Sequence, residues 1–207
     1  MTTIAAFDFD GTLTERDSVV PFLGRLARRP AVLGRAVTQV PAAAAALVRR
    51  DRDRLRAVAT RAVLTGVSAA RLATEGDRFA ADIVAARLRA DTRARLAWHI
   101  AEGHRVVLVS ASYESYLVGV AAELGVEAVL ATRLEVVDGV CTGRLDGANC
   151  RGHEKVRRLH GWLAAEGLAR DDVTVWAYGD SAGDRELLAD ADHAVWAGGR
   201  LDSVFPS

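Results

Sequence analysis

The chain lacks the cysteine that a disulfide framework needs: Cys141 and Cys150 are the two in 207 residues. Both read as reduced thiols, with Cys141 structural. Net charge is missing too. There are 27 basic and 27 acidic side chains, so nothing suggests an electrostatic footprint for nucleic acid. No basic stretch precedes an apolar one near residue 1; a signal peptide is not expected, and a cytoplasmic location is. Long apolar runs are absent as well. The nearest approach, residues 31–48, is interrupted by Arg35, Gln39 and Pro41 and owes much of its apolar count to alanine. It falls short of the roughly 20 strongly apolar residues of a membrane span and reads as a pair of packed helices. Arg25, Arg28, Arg29, Arg49 and Arg50 flank it, and a shallow contact with anionic lipid is the alternative. The histidines (His99, His104, His153, His160 and His193) share no metal-ligand spacing with one another or with cysteine. They are assigned to surfaces and caps, and the tryptophans (Trp98, Trp162, Trp176 and Trp196) to core or interface.

What is present is half apolar and about a quarter charged, as in ordinary soluble proteins. Residues 4–8 read as a buried strand. The pattern is then helical from residue 17 to about 96. Ser18 is a plausible N-cap before Val19, Val20, Phe22 and Leu23, and Gly66 and Gly103 are stops. Residues 105–109 form a continuous apolar run, the mark of a strand buried on both faces, and end at Ser110-Ala111-Ser112. A helix through Tyr116, Leu117, Val120 and Leu124 follows. Residues 127–132 read as the next strand, residues 134–145 as a hairpin around Asp138-Gly139. A helix from 153 to about 166, a buried strand at 173–178, a helix at 184–189 and a short strand at 193–196 complete the pattern. Strands alternating with helices imply an α/β fold, a doubly wound parallel sheet that binds ligands at the carboxyl ends of its strands. The expected division is a core of residues 1–16 and 97–207 with a helical cap, residues 17–96, inserted after the first strand.

Asp8-Phe9-Asp10-Gly11-Thr12-Leu13-Thr14 carries the chemistry. Residues i and i+2 of a strand share a face, so Asp8 and Asp10 begin side by side at a buried strand end. Two like charges there need a cation or a proton, which suits a hard divalent metal and phosphoryl transfer. Asp8 is the candidate nucleophile, since a carboxylate is ionised at neutral pH without a base. Asp10 is the candidate general acid and base. Asp180 in Gly179-Asp180-Ser181 is a candidate Mg²⁺ ligand with Asp8. Asp184 would orient a metal-bound water or Asp180 itself. Lys155 would hold Asp8 and a phosphoryl oxygen; Ser110, with the backbone N–H groups beside it at Ala111, would hold phosphate.

Four stretches, residues 8–14, 106–112, 152–155 and 179–184, resemble the haloacid dehalogenase-like superfamily in its own motif order. Ala131-Thr132-Arg133-Leu134-Glu135 and Thr142-Gly143-Arg144-Leu145 are similar to its subfamily IB, the phosphoserine-phosphatase-like hydrolases. The resemblance implies a Rossmann-like core with a helical cap and an Mg²⁺-dependent phosphatase acting on a small phosphorylated metabolite. The alternatives are a phosphomutase and a lipid-phosphate phosphatase. It also implies Asp8, the Asp10 backbone carbonyl and Asp180 as metal ligands. Asp17 falls where phosphoserine phosphatases carry a glutamate that reads the substrate amine; a helix cap beside Ser18 is its other reading. Gly183 stands where those enzymes usually have asparagine. The cap offers Arg52, Arg54 and Arg56 where one specificity arginine is expected. After Trp196 the usual asparagine-proline ending is missing.

Overall fold

Ile4 and Ala6 face one side of the first strand and Ala5 and Phe7 the other, and the molecule is organised by that alternation. The structure is a computed structural model that describes residues 2–27 and 52–201. Six strands form one sheet: β1 (Thr2–Phe7), β2 (Arg105–Tyr113), β3 (Ala128–Val137), β4 (Val140–Asp146), β5 (Val173–Gly179) and β6 (His193–Trp196). Their order is β4-β3-β2-β1-β5-β6. All neighbours run parallel except the β3–β4 pair. The described helices are α1 (Val19–Leu26), α2 (Arg52–Leu64), α3 (Ala69–Ala86), α4 (Ala90–Ala101), α5 (Glu114–Leu124), α6 (His153–Ala165) and α7 (Arg185–Asp190).

Ile4, Ala6, Val107 and Val109 pack with Leu159 and Leu163 of α6 and Leu187 of α7. On the opposite face Ala5, Phe7, Val106 and Leu108 pack with Leu96 of α4, Leu117 and Val120 of α5, and Phe22 and Phe79 of α1 and α3. With helices on both faces, this is the doubly wound sheet expected from the sequence, with an antiparallel hairpin at one edge. The expected strand 127–132 and the first arm of the hairpin are one strand, β3. It turns at Asp138 (φ 49°) and Gly139 (φ 74°), two positive φ values that match the twist of the flanking strands. Helices α1 to α4 all lie between β1 and β2 in the chain, and the expected boundary at 96/97 falls inside α4. The stretch 31–48, with Arg28, Arg29, Pro30, Arg49 and Arg50, lies outside the described residues. Among the described residues no helix is long and apolar enough to cross a membrane.

Three local expectations are corrected or narrowed. His99 is not at a surface or cap but fully buried. Its Nε2 lies 2.8 Å from the Tyr178 hydroxyl and its Nδ1 2.8 Å from Nδ1 of His104. Phe7, stacked on Tyr178, meets the imidazole edge-on. The sequence offered no sign of this, because α4 places His99 on its apolar face only once Phe7 and Tyr178 are paired across β1 and β5. Ser18 occupies the N-cap of α1, but its side chain makes no cap bond; its hydroxyl turns inward to the Tyr116 hydroxyl at 2.6 Å. Asp17 caps instead, its Oδ2 accepting the Val20 N–H at 2.8 Å. Of the two settings expected for the tryptophans, the core is excluded for Trp196, which is exposed on the short edge strand β6.

Burial, with His104 and Arg95 adding charge nearby, pushes His99 down to about 3. The unfolded chain therefore binds the extra proton between that value and the ordinary 6.5. Stability is full above the higher value and is lost as pH falls toward the lower one. Urea midpoints measured from about pH 7 down to pH 4 are expected to fall, and His99→Gln to flatten that fall.

Candidate active site

β1, β2 and β5 are adjacent and parallel, so their carboxyl ends open at one place. A cavity of about 360 Å³ lies there, lined by Asp8, Asp10, Asp17, Ser110, Ala111, Lys155, Asp180 and Asp184. The eight residues given a catalytic, phosphate-binding, metal or specificity role outside the cap arginines thus reach the same cavity. Arg56 and Arg151 line it as well.

Lys155 sits in the first turn of α6, under the sheet's end, and is 1% exposed. Its Nζ donates to Oδ1 of Asp8 and to Oδ1 of Asp184, each at 2.5 Å. Oδ2 of Asp184 accepts from the Ser181 hydroxyl at 2.7 Å and from the Ser181 N–H at 2.9 Å. Asp184 is therefore committed on both oxygens and braces the loop after β5. Asp8, Asp180 and Asp184 each bring a carboxylate oxygen within 4.8 Å of the others. The ammonium of Lys155 offsets one of those three charges and leaves two.

The electrostatics follow from that imbalance. Burial pushes Asp8 up to about 6, against the pull of Lys155 and with the Asp184 charge adding to it. Asp180 is raised by burial and by Asp184. Asp184 is buried too, yet Lys155 and Ser181 more than offset that and hold its carboxyl below the usual range. An oxygen-only donor set with two uncompensated negative charges fits a hard divalent cation such as Mg²⁺.

Asp10 is held differently. Its Oδ1 accepts the Ser18 N–H at 3.0 Å and its Oδ2 the Ser112 hydroxyl at 2.7 Å. Burial pushes its carboxyl up to about 7 although both serine bonds oppose this. Its side chain is turned to these serines, and its carboxylate is not among the three that converge in the acidic cluster. Ser112 arrives through an irregularity in β2. Ser110 pairs with Ala131 and Tyr113 with Thr132, so two residues of β2 bulge out between them. Such bulges re-aim side chains beside active sites. Here the bulge points Ser112 at Asp10.

The loop after β1 is tied in place from three sides. Gly11 has φ 84°, and a Cβ on it would come 2.1 Å from Oδ2 of Asp180, so only glycine lets Asp180 approach that closely. The Thr12 hydroxyl donates to Oδ1 of Asp180 at 3.3 Å. Arg89, between α3 and α4, donates through Nη1 to the carbonyls of Gly11 at 2.9 Å and Ala197 at 2.6 Å, while its N–H meets the Leu13 carbonyl. At the mouth Asp17 takes the helix-cap role that was one of its two expected readings. Besides capping α1, its Oδ1 pairs with Nη2 of Arg56 at 2.6 Å. Of the three cap arginines weighed, Arg56 is the one on the cavity wall; nothing is described of the Arg52 side chain.

Sequence reasoning gave no role to Ser112, Thr12, Arg89 or Arg151. Ser112 carried a signal, being two residues from Ser110 at a strand end. The others carried none, because their roles come from segments brought together by the fold.

The haloacid dehalogenase-like hydrolase family matches this chain over residues 5–189. Protein CicA of Caulobacter vibrioides is 38% identical over 190 residues, which cover 91% of this chain and 83% of that protein. The phosphoserine phosphatase SerB1 of Mycobacterium tuberculosis is 31% identical over 200 residues, 94% of this chain and 64% of that protein. Among solved structures, a Bordetella pertussis protein of unknown function superposes with TM-score 0.73 at 28% identity, covering 91% of this chain and 87% of that one. A phospho-aspartyl intermediate analogue of phosphoserine phosphatase superposes with TM-score 0.60 at 20% identity, covering 92% and 83%, and supports the fold. The chain is an enzyme of the haloacid dehalogenase-like hydrolase family, and its relatives support a phosphatase.

Proposed function

We propose that the enzyme is an Mg²⁺-dependent phosphomonoesterase that hydrolyses a small phosphorylated metabolite through an aspartyl-phosphate. The observation that carries this is the buried Asp8–Lys155–Asp184 array beside Asp180, with two negative charges left over. Asp8, Asp180 and the Asp10 carbonyl would hold Mg²⁺, with Asp184 orienting them. When bound, the ion supplies charge neutralisation for the dianionic ester.

The chain's own groups account for the proton and bond changes. A carboxylate oxygen of Asp8 attacks phosphorus, and the bond from phosphorus to the ester oxygen breaks. Asp10, whose carboxyl is pushed up to about 7, keeps a proton near neutrality and gives it to the departing oxygen. Asp10 then takes a proton from the water that attacks the aspartyl-phosphate, releasing phosphate and restoring Asp8. Lys155 and Ser110 hold phosphoryl oxygens. Residues 17–96 act as a cap over a core formed by residues 1–16 and 97–207, exclude water and present Asp17 and Arg56 to the leaving group. The cytoplasm is the proposed location.

Acid-quenched single turnovers with a radiolabelled phosphomonoester test the chemistry. Label is expected on the peptide that contains Asp8, with inorganic phosphate as the end product. EDTA is expected to stop turnover and Mg²⁺ to restore it. Undiminished turnover after metal removal would refute the metal's role, and transfer of phosphate to sugar without release would favour a mutase.

A further inference from the structure

Arg151 is exposed, lines the cavity, and belongs to no motif that the chemistry above uses. Its position depends on a glycine in another loop. A Cβ built on Gly183 would lie 2.6 Å from Nε, 2.8 Å from Cγ and 3.2 Å from Cδ of Arg151. The arginine side chain therefore runs across the space that any side chain at 183 would take. The two loops are also joined through the main chain, the Gly152 N–H donating to the Gly183 carbonyl at 2.9 Å. Gly152 has φ 60°, so the turn that carries Arg151 onto Gly183 uses a backbone state favoured by glycine.

The other cations of the cavity are differently placed. Lys155 is buried between Asp8 and Asp184. Arg56 approaches from the helical side and is paired with Asp17. Arg151 approaches from the core side, on the loop that leads into α6. A guanidinium presents a planar fork that matches an oxyanion. The transferring phosphoryl already has Lys155, Ser110 and the proposed cation, so a further fork at the exposed wall suits a different anion on the same substrate.

We propose that Arg151, seated by the absence of a side chain at Gly183, is a specificity residue that binds a second oxyanion on the substrate's leaving group, a carboxylate or a second phosphate. This rests on the phosphomonoesterase function proposed above.

Matched substrates test it. 3-Phosphoglycerate and glycerol 3-phosphate differ in a carboxylate; fructose 1,6-bisphosphate and fructose 6-phosphate differ in a phosphate. The wild-type enzyme is expected to prefer the anionic member of at least one pair, through KM, and the pair that responds identifies the oxyanion. Arg151→Ala is expected to lower that preference about tenfold or more, and Arg151→Lys to restore part of it. Gly183→Asn is expected to mimic Arg151→Ala, because the flexible arginine shifts away more readily than the backbone does. A wild-type enzyme indifferent to both anions overturns the proposal. So do equal losses on both members of a pair, which would mark Arg151 as structural or as a holder of the transferring phosphoryl. Retention of the full preference by Gly183→Asn also overturns it. Failure of the underlying function shows separately, as no Mg²⁺-dependent hydrolysis of p-nitrophenyl phosphate by the wild-type enzyme.

Discussion

Asp8→Asn is expected to abolish turnover while the fold stands. The amide is nearly isosteric with the carboxylate but is a far poorer nucleophile, so the first bond to phosphorus does not form. Loss of a group on which the whole reaction depends lowers kcat on the order of 10⁴-fold or more. The fold has little reason to suffer. Lys155 keeps its 2.5 Å bond to Asp184, and one of three mutually repelling carboxylates is neutralised. Initial rates on p-nitrophenyl phosphate and a thermal melt of the same sample separate the two effects. Near-normal metal-dependent activity in this variant would mean that Asp8 is not the nucleophile.

Lys155→Met is expected to damage both stability and activity. Lys155 is 1% exposed and is bonded to two buried carboxylates. Removing one partner of a buried ion pair costs about 3–5 kcal/mol, since the remaining charge is left uncompensated. Here two charges are left. The sign with pH follows directly. Burial already pushes Asp8 up to about 6, with Lys155 pulling the other way, and Lys155 is what holds Asp184 down. Without the ammonium both carboxyls are raised in the folded state. The folded variant then binds more protons than its unfolded chain, so its deficit grows as pH rises through the carboxylate range and shrinks in acid. Urea unfolding of metal-free protein across that range measures it. A deficit that does not vary with pH would show that lost packing, not lost charge, is responsible.

The sheet and the site differed in how much of each could be read from the chain. Residues 106–109 and 173–178 are largely apolar runs short enough to be strands and ended by a small residue, so β2 and β5 were legible. The hairpin was legible from Asp138-Gly139. Asp8, Lys155 and Asp180 were legible because each stands at the border between a strand or loop and the next helix, where charged groups gather. Ser112 was legible only in its place two residues after Ser110, since its aim depends on a two-residue bulge set by how β2 registers against β3. His99 was misread because a histidine on an amphipathic helix gives no sign of the ring that will cover it. Arg151 was invisible for a related reason. What places it is an empty position 32 residues later in the chain, and glycine there carries no label of what lies over it.

β1 is at the middle of the sheet, and its catalytic loop leans on distant partners. Lys155 reaches Asp8 across 147 positions of chain, and Thr12 reaches Asp180 across 168. During synthesis Asp8 emerges long before the groups that tame it. Until residue 155 has left the exit tunnel Asp8 lacks its ammonium clamp, and until residues 180 and 184 have followed, it lacks its acidic neighbours. A product of stalled translation that ends short of there carries the proposed nucleophile without that apparatus, and is expected to be inactive.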